Sequence, residues 1–270
     1  MTPTEIKSAL AALGGKANKK LGQHFLIERA ALEAIVDAAA IKQGDLVLEI
    51  GPGLGVLTDE LSARGAEVIA IEQDRRFIPF LARAQRHIVH GDAAALSWHE
   101  FIGDRSWKFV SNLPYAITSL ALRKALWSSN PPEIVVALVQ REVAERAIAK
   151  NGKTSLLSLM VALASSEGRI IRRVAAGAFY PPPKVESGIL RIVPMMPEER
   201  LKRWGIEPEK IMALARRGFA HPRKLLTSNL GLSRDQQPVL PIPHLARAED
   251  LSPDQWAALA RAIGVRIELS

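Results

Sequence analysis

The spacing of apolar and polar positions changes along the chain, and each spacing predicts a type of secondary structure. Residues 28–40 place Leu32, Ile35 and Val36 on one face of a helix, and residues 46–50 are a short apolar run that predicts a buried strand. The same patterns predict further helices over residues 55–64, 74–85, 119–127, 141–150 and 155–164. They predict further strands over residues 67–71, 108–111, 134–139, 169–174 and 188–193. Strands that alternate with helices predict an α/β fold with a mainly parallel sheet, covered on both faces.

The pattern changes after Pro194, where prolines and charged residues lead into a segment without strand periodicity. Residues 211–219 and 255–263 in that segment predict helices. We therefore predict two domains, one of residues 1–199 that contains the sheet and a small all-helical one of residues 200–270.

The charge balance indicates a polyanionic partner. The 270 residues carry a formal net charge of +8, and such a balance favours nucleic acid because binding releases counterions. A generally basic surface would give the same net charge, but the basic residues are grouped. They form three clusters, which are Lys16 with Lys19 and Lys20, Arg169 with Arg172 and Arg173, and Arg216 with Arg217, Arg223 and Lys224.

Several classes of protein are disfavoured by what the sequence lacks. It has no cysteine, which excludes disulfides, thiolate nucleophiles and cysteine metal sites, and no metal site is predicted. No run of about 18 apolar residues is present, so no membrane span is expected. The first twenty residues are polar and basic rather than of signal-peptide type, which favours a cytoplasmic protein.

A glycine-rich turn follows the first predicted strand of the sheet, at Glu49-Ile50-Gly51-Pro52-Gly53-Leu54-Gly55. Glycines allow a tight turn and a close approach of ligand to backbone N–H groups. Glu72 and Asp92 follow at the expected ends of the next two strands, where carboxylates can bind ribose hydroxyls and an adenine amino group. This arrangement predicts a nucleoside site. Its G-x-G-x-G spacing disfavours a dehydrogenase, whereas Glu49 fits a structural or a cofactor-binding role equally well.

The segment Ser111-Asn112-Leu113-Pro114-Tyr115 ends the fourth strand and is the candidate site of chemistry. Adenine N6 is a poor nucleophile because its lone pair is delocalised into the ring. The Asn112 side-chain oxygen and the Leu113 carbonyl could accept both N6 hydrogens and direct the lone pair toward a sulfonium methyl. Pro114 would fix the turn, and Tyr115 would stack on the base. A strand-end turn with a capping Asn and a packed Tyr is the alternative interpretation.

With these motifs the chain resembles the ribosomal RNA adenine dimethyltransferase family, and within it the KsgA branch that acts on small-subunit RNA. The resemblance covers almost the whole chain. Its further motifs are residues 20–26, 49–58, 72–75, 91–92, the branch-specific Phe179-Tyr180-Pro181-Pro182-Pro183-Lys184-Val185-Glu186-Ser187, and residues 223–230. The resemblance implies a Rossmann-like class I methyltransferase sheet followed by a helical RNA-binding domain.

The resemblance also implies an activity, dimethylation of N6 on two adjacent adenosines in a loop near the 3′ end of 16S rRNA. The donor would be S-adenosylmethionine, and the partners small-subunit RNA and the pre-30S particle, with the protein a monomer. The implied catalytic residues are Asn112, Leu113, Pro114, Tyr115 and Phe179, the last as a second aromatic of the target pocket. The implied cofactor contacts are Gln23, His24, Leu26, Gly51, Gly53, Glu72, Asp92, Ala93 and Asn112.

Three positions depart from the common family pattern. His24 and Ala116 stand where many members have Asn, and Pro222 stands where the C-terminal element often has Arg. Two other functions remain as alternatives, a large-subunit RNA methylase that confers antibiotic resistance and a ribosome-assembly factor that has lost catalysis. The proline-rich segment 181–183 and the helical tail favour the small-subunit branch over the first, and the intact Asn112, Tyr115 and Glu72 argue against the second.

Overall fold

The computed structural model describes residues 1–18, 21–82, 87–149, 152–232, 242–243 and 245–267. The strands in these residues are β1 (Phe25–Leu26), β2 (Leu46–Ile50), β3 (Glu67–Glu72), β4 (His87–His90), β5 (Lys108–Asn112), β6 (Val135–Gln140), β7 (Ser165–Val174), β8 (Phe179–Tyr180) and β9 (Ser187–Pro194). The helices are α1 (Pro3–Ala12), α2 (Arg29–Ala38), α3 (Val56–Ala63), α4 (Ile78–Ala82), α5 (His99–Ile102), α6 (Thr118–Leu126), α7 (Arg141–Ala147), α8 (Leu156–Ala164), α9 (Pro197–Trp204), α10 (Pro208–Gly218), α11 (Leu226–Leu230) and α12 (Pro253–Ile267).

The main sheet has the strand order β4-β3-β2-β5-β6-β9-β7. Strands β4, β3, β2, β5 and β6 are parallel, and β9 runs antiparallel to β6. All five residues of β2 are buried, as expected for a parallel strand covered on both faces. The chain leaves β2 toward β3 on one side and returns to β5 on the other, and ligands bind at such a switch point, beyond the carboxyl ends of the strands.

A second, two-stranded sheet joins residues 25–26 to residues 179–180. The first pair belongs to the motif of residues 20–26, called here the N-terminal motif, and the second to the motif of residues 179–187, called here the proline-rich motif. Strand β1 pairs antiparallel with β8, with Phe25 opposite Tyr180 and Leu26 opposite Phe179. The Ile27 N–H extends the contact by donating to the Ala178 carbonyl at 2.8 Å. Two segments about 150 residues apart in sequence thus meet beside the main sheet.

The chain divides into two compact units, and the division differs from the one expected at residue 199/200. One unit comprises residues 1–144 and 168–194, and the other comprises residues 145–167 and 195–270. Helix α8 belongs to the second unit because it is apolar around most of its circumference and packs against α10 and α12. The Trp204 indole N–H also donates to the Leu163 carbonyl at 2.9 Å, across the gap in sequence. A single domain boundary in the sequence cannot describe this division, because residues 145–167 belong to the second unit and residues 168–194 belong to the first.

The sequence patterns predict most of the strands of the sheet, but they miss several other elements. Helix α1 is among those missed, although Thr2 and Glu5 form a reciprocal capping box around Pro3, which is a recognisable N-terminal signal. The predicted helix 74–85 begins as a 3₁₀ turn at Arg75–Phe77 and continues as α4. Positions 83–85 and 150 of the predicted helices, and Lys19 and Lys20, lie outside the described residues. Within the described residues, no helix combines the length and apolarity needed to span a bilayer.

Candidate active site

The turn after β2 passes so close to two other side chains that glycine is required at two of its positions. Gly51 and Gly53 have φ angles of +68° and +57°. A Cβ on Gly53 would lie 2.9 Å from the ring of Phe25, and one on Gly51 would lie 3.1 Å from Pro114. The glycines therefore let β2, the N-terminal motif and the Pro114 turn converge at the carboxyl ends of the strands.

The buried carboxylate of Glu72 ends β3 and faces this glycine turn. One oxygen accepts a hydrogen bond from the Gly53 N–H at 3.0 Å and the other accepts from the Asp74 N–H at 2.7 Å. Burial raises the pKa of Glu72 above its ordinary value, against the opposing effect of these backbone hydrogen bonds. A carboxylate offers about four lone-pair sites, and its backbone contacts do not use them all, so Glu72 can still accept a hydrogen bond from a ligand.

Asp92 follows β4 in a turn that is held by a lysine of α6. The Asp92 side chain accepts from the Ala94 N–H at 2.8 Å, which fixes the start of the turn. The Lys124 ammonium donates to the carbonyls of Ala93, Ala94 and Leu96 at 3.1, 3.1 and 2.6 Å. Sequence reasoning missed Lys124, because a lysine on an amphipathic helix gives no sign of the loop that it will contact.

Glu49 is held inside the sheet by a neighbouring helix. Its carboxylate is 1% exposed and accepts from the Thr58 hydroxyl at 2.7 Å. Glu49 also lines the cleft at the strand ends. Glu49 therefore makes a structural contact and also belongs to the lining of the cleft.

Asn112, at the end of β5, is tied to the N-terminal motif. Its side-chain Nδ2 donates to the backbone carbonyl of His24 at 3.2 Å. Next to it, the Ser111 hydroxyl donates to the Ile50 carbonyl at 2.8 Å and joins β5 to β2. Because the amide nitrogen of Asn112 is engaged, its Oδ1 is the end that remains available as an acceptor.

Tyr115 is held by contacts on its ring and on its hydroxyl. The His24 imidazole stacks on the ring, with centroids 5.8 Å apart and planes inclined by 27°. The Tyr115 hydroxyl lies 2.7 Å from the buried hydroxyl of Ser187, and burial raises the pKa of Tyr115. The His24 Nδ1 lies 2.7 Å from the Pro181 carbonyl. Since a carbonyl only accepts, Nδ1 carries the proton in this hydrogen bond.

Gln23 connects the N-terminal motif to the end of β3. Its Nε2 donates to Asp74 at 2.8 Å, and its Oε1 accepts from the Asn18 N–H at 2.7 Å. Arg76 donates to the same carboxylate, and this hydrogen bond holds the pKa of Asp74 below its ordinary value. The Gln23 amide therefore links Asn18 to Asp74 at the rim of the cleft.

The structure brings all but one of the predicted site residues into one cleft. Those that line it are Gln23, His24, Leu26, Gly51, Gly53, Glu72, Asp92, Ala93, Asn112, Leu113, Pro114 and Tyr115. The lining also includes residues that the sequence patterns do not single out, among them Leu21, Phe25, Gln73 and Ile117. These lie next to predicted residues in the chain, and no composition signal distinguishes them.

Phe179 lies in the hydrophobic core, and its role as a second aromatic of the target pocket stays a prediction. Its side chain is 2% exposed and belongs to the core cluster that contains Leu26, Val36 and Ile189. It is not among the residues that line the cleft. Its backbone pairs with Leu26 in the small sheet, and this pairing turns the ring into the core. His24 is the aromatic side chain that contacts Tyr115 instead.

The charge of the lining residues indicates which kind of ligand fits. Three carboxylates line the cleft, those of Glu49, Glu72 and Asp92, and none of the described lining residues is a lysine or an arginine. Three carboxylates attract a nucleoside attached to a cationic centre and repel a pyrophosphate, for which the described part of the lining offers no cationic side chain. The positive-φ glycines add the close backbone approach that such a ligand needs.

Comparison with known proteins gives the family. Residues 14–263 match the family model described as "Ribosomal RNA adenine dimethylase". The chain belongs to this family. One relative in it is the "Ribosomal RNA small subunit methyltransferase A" of Dehalococcoides mccartyi, which is 38% identical over 96% of this chain and 93% of its own length.

Solved structures show the same fold. A dimethyladenosine transferase from Plasmodium falciparum superposes with a TM-score of 0.74 at 24% identity, over 90% of this chain and 98% of its own. The 23S rRNA methyltransferase ErmE superposes with a TM-score of 0.67 at 24% identity, over 89% of this chain and 99% of its own. The predicted class I methyltransferase fold is confirmed. As a member of this family, the protein is an S-adenosylmethionine-dependent methyltransferase. This membership excludes the alternative that it is a dehydrogenase.

Proposed function

We propose that this enzyme dimethylates N6 of two adjacent adenosines in a loop near the 3′ end of 16S rRNA, on an immature small subunit. The observation that carries the proposal is the hydrogen bond between Asn112 Nδ2 and the His24 carbonyl. It leaves the Asn112 Oδ1 as an acceptor in the cleft, beside the carboxylates that suit a nucleoside.

We infer the cofactor contacts from the side chains at the strand ends. S-adenosylmethionine would supply a methyl group made electrophilic by a sulfonium. Glu72, which the Gly53 and Asp74 N–H groups hold in place, would accept hydrogen bonds from the ribose hydroxyls, and Asp92 would accept one from the adenine amino group. Gly51 and Gly53 provide close backbone contact. The remaining proposed contacts are Gln23, His24, Leu26, Ala93 and Asn112.

The chain's own residues orient the target base. Asn112 Oδ1 and the Leu113 carbonyl accept the two N6 hydrogens, which favours a more tetrahedral nitrogen and directs its lone pair at the methyl. Pro114 sets the turn, and the ring of Tyr115 stacks on the extruded base. No strong base is required before transfer, because the bond from sulfur to the methyl group breaks to leave a neutral sulfide, and the proton of the product amine passes to water afterwards. Orientation supplies most of the acceleration.

Substrate choice rests on the relatives and on charge. The curated relative from Dehalococcoides mccartyi is named for the small ribosomal subunit, and Arg223 and Lys224 are exposed in the second unit. We assign methyl transfer to the unit of residues 1–144 and 168–194, which contains the sheet and the cleft, and RNA binding to the helical unit of residues 145–167 and 195–270. We further propose that the enzyme acts as a monomer, in the cytoplasm where ribosomes are assembled.

The experiment supplies labelled cofactor with immature small subunits, mature small subunits and large-subunit precursors, all from an unmethylated strain. We expect label chiefly in the immature small subunit, at adjacent adenosines, because mature particles bury the loop. Asn112→Ala protein is the control for transfer by this site. Label chiefly in large-subunit RNA would overturn the proposed substrate in favour of a resistance methylase. Binding without any transfer would indicate an assembly factor.

A further inference from the structure

The side chain of His24 has contacts that a cofactor-binding role does not explain. The cofactor contact that the resemblance implies for His24 can be made through its backbone alone. Yet the imidazole donates from Nδ1 to the Pro181 carbonyl at 2.7 Å and stacks on Tyr115. Its own carbonyl accepts from Asn112.

These three contacts join segments that are far apart in sequence. His24 lies in the N-terminal motif, Asn112 and Tyr115 lie 88 and 91 positions later, and Pro181 lies 157 positions later, in the proline-rich motif. One residue therefore touches both side chains that the proposed function places at the target base.

The stacking geometry determines which face of Tyr115 a base can use. Stacked aromatic rings lie about 4.5–7 Å apart between centroids, and the His24 and Tyr115 centroids are 5.8 Å apart. The two rings are thus in direct contact, and no base fits between them. An adenine that stacks on Tyr115 must use the face opposite His24.

We propose that the His24 imidazole is a positioning residue for the target base. Anchored to Pro181, it supports one face of Tyr115 and leaves the other face for adenine, while Ser187 fixes the same ring through its hydroxyl. This inference rests on the proposed function, in which Tyr115 stacks on the base. It assigns to His24 an effect on turnover rather than on cofactor affinity.

The first test measures the ring of Tyr115 without any substrate. The chain has only two tyrosines, so ring-labelled tyrosine gives two sets of NMR signals, and Tyr115→Phe assigns them. We expect His24→Ala to shift the Tyr115 signals and to speed its ring flips, whereas His24→Phe keeps a stacked ring and changes both less. His87→Ala, a change of the same type at an exposed position, should change neither. Unchanged Tyr115 signals in His24→Ala would overturn the inference whatever the substrate proves to be.

The second test measures turnover and cofactor affinity separately. We expect His24→Ala to lower kcat by about tenfold to a hundredfold, the effect of small misplacements in oriented reactions. Calorimetry should show its affinity for S-adenosylmethionine within about twofold of wild type, because the backbone of residue 24 is retained. His24→Asn should recover less activity than His24→Phe because asparagine lacks a ring to support Tyr115.

A double-mutant cycle with Ser187→Ala separates positioning from general stability. Both substitutions loosen the same ring, so the double variant should lose little more kcat than the more damaging single variant. Effects that simply multiply, or a loss of cofactor affinity as large as the loss of kcat, would overturn the inference. Rates are taken on whichever ribosomal RNA the wild type methylates, so an error in the proposed substrate leaves this comparison intact.

Discussion

The Nδ2 of Asn112 donates to the carbonyl of His24 at 3.2 Å, and this contact sets the direction of the asparagine amide. Without it, the amide could rotate and present a donor where the proposed chemistry needs an acceptor. The N-terminal motif thus helps to determine what the motif after β5 can do.

Asn112→Ala should abolish most methyl transfer while RNA binding is largely kept. The alanine removes the acceptor that orients N6, and orientation carries most of the proposed rate. Cofactor affinity should fall moderately, because the same loop lines the cleft. Single-turnover rates and RNA-binding titrations on the same preparation check this.

The control is Asn130→Ala, which removes an amide outside the cleft that donates to the Gly103 and Arg105 carbonyls. That variant should lose stability without a selective loss of transfer. Near-normal turnover of Asn112→Ala would remove Asn112 from the mechanism.

Glu72→Ala should weaken binding of S-adenosylmethionine by about 1.5–3 kcal/mol, a typical range for hydrogen bonds to charged groups. The substitution also leaves the Gly53 and Asp74 N–H groups without their acceptor. Glu67→Ala is the matched control on the same strand, since Glu67 pairs with Arg105 at the surface. Calorimetry measures the affinity of both variants for S-adenosylmethionine. Equal affinities of Glu72→Ala and Glu67→Ala would show that Glu72 is not a cofactor ligand.

Glu72→Gln should remove a pH dependence of stability. Burial raises the pKa of Glu72 above its ordinary value of 4.5, so the folded protein holds this proton more tightly than the unfolded chain. The free energy of unfolding contributed by Glu72 therefore falls as pH rises from the unfolded pKa through the folded pKa. Thermal melts without cofactor should show the Tm of Glu72→Gln gaining on wild type as pH increases through that window. A constant or shrinking difference would contradict the burial effect.

Phe179→Ala should destabilise the protein by about 3–5 kcal/mol, as for other large core aromatics. The ring is 2% exposed in the core cluster with Leu26. Phe179→Leu keeps most of the apolar volume, so it should retain both stability and kcat. Denaturant unfolding and steady-state kinetics of the pair separate the two roles. A selective loss of kcat in a stable Phe179→Leu protein would support the pocket-lining role that the family resemblance implies.

Charge reversal at Arg223 and Lys224 should make RNA binding less sensitive to salt. Each phosphate that the protein no longer neutralises lowers the slope of log K against log salt by about 0.7–0.9, and both residues are exposed. Affinity for S-adenosylmethionine should hardly change. Lys202→Glu with Lys210→Glu alters the charge of the same unit equally and serves as the control. Equal slopes in the wild type and the Arg223/Lys224 variant would identify that cluster as a solvated surface.

The strands and the main motifs were readable in the sequence because they depend on neighbours in the chain. The apolar run of β2 and the glycines after it act over a few residues, and burial of the whole strand then follows. Glu72 and Asn112 were identifiable because the ends of parallel strands meet at one edge of a sheet. Helix α1 also has a local signal, its capping box, which apolar periodicity alone does not register.

By itself the sequence determined the family, the α/β sheet and most of the residues that line the cleft at the strand ends. Only the tertiary structure decided that α8 belongs with the C-terminal helices, that Phe179 enters the core and that Lys124 holds the Asp92 turn. It also decided that His24 reaches Asn112, Tyr115 and Pro181. The physical reason is range: helix and strand periods report contacts within one element, whereas these contacts join side chains whose separation in sequence carries no information about their distance in space.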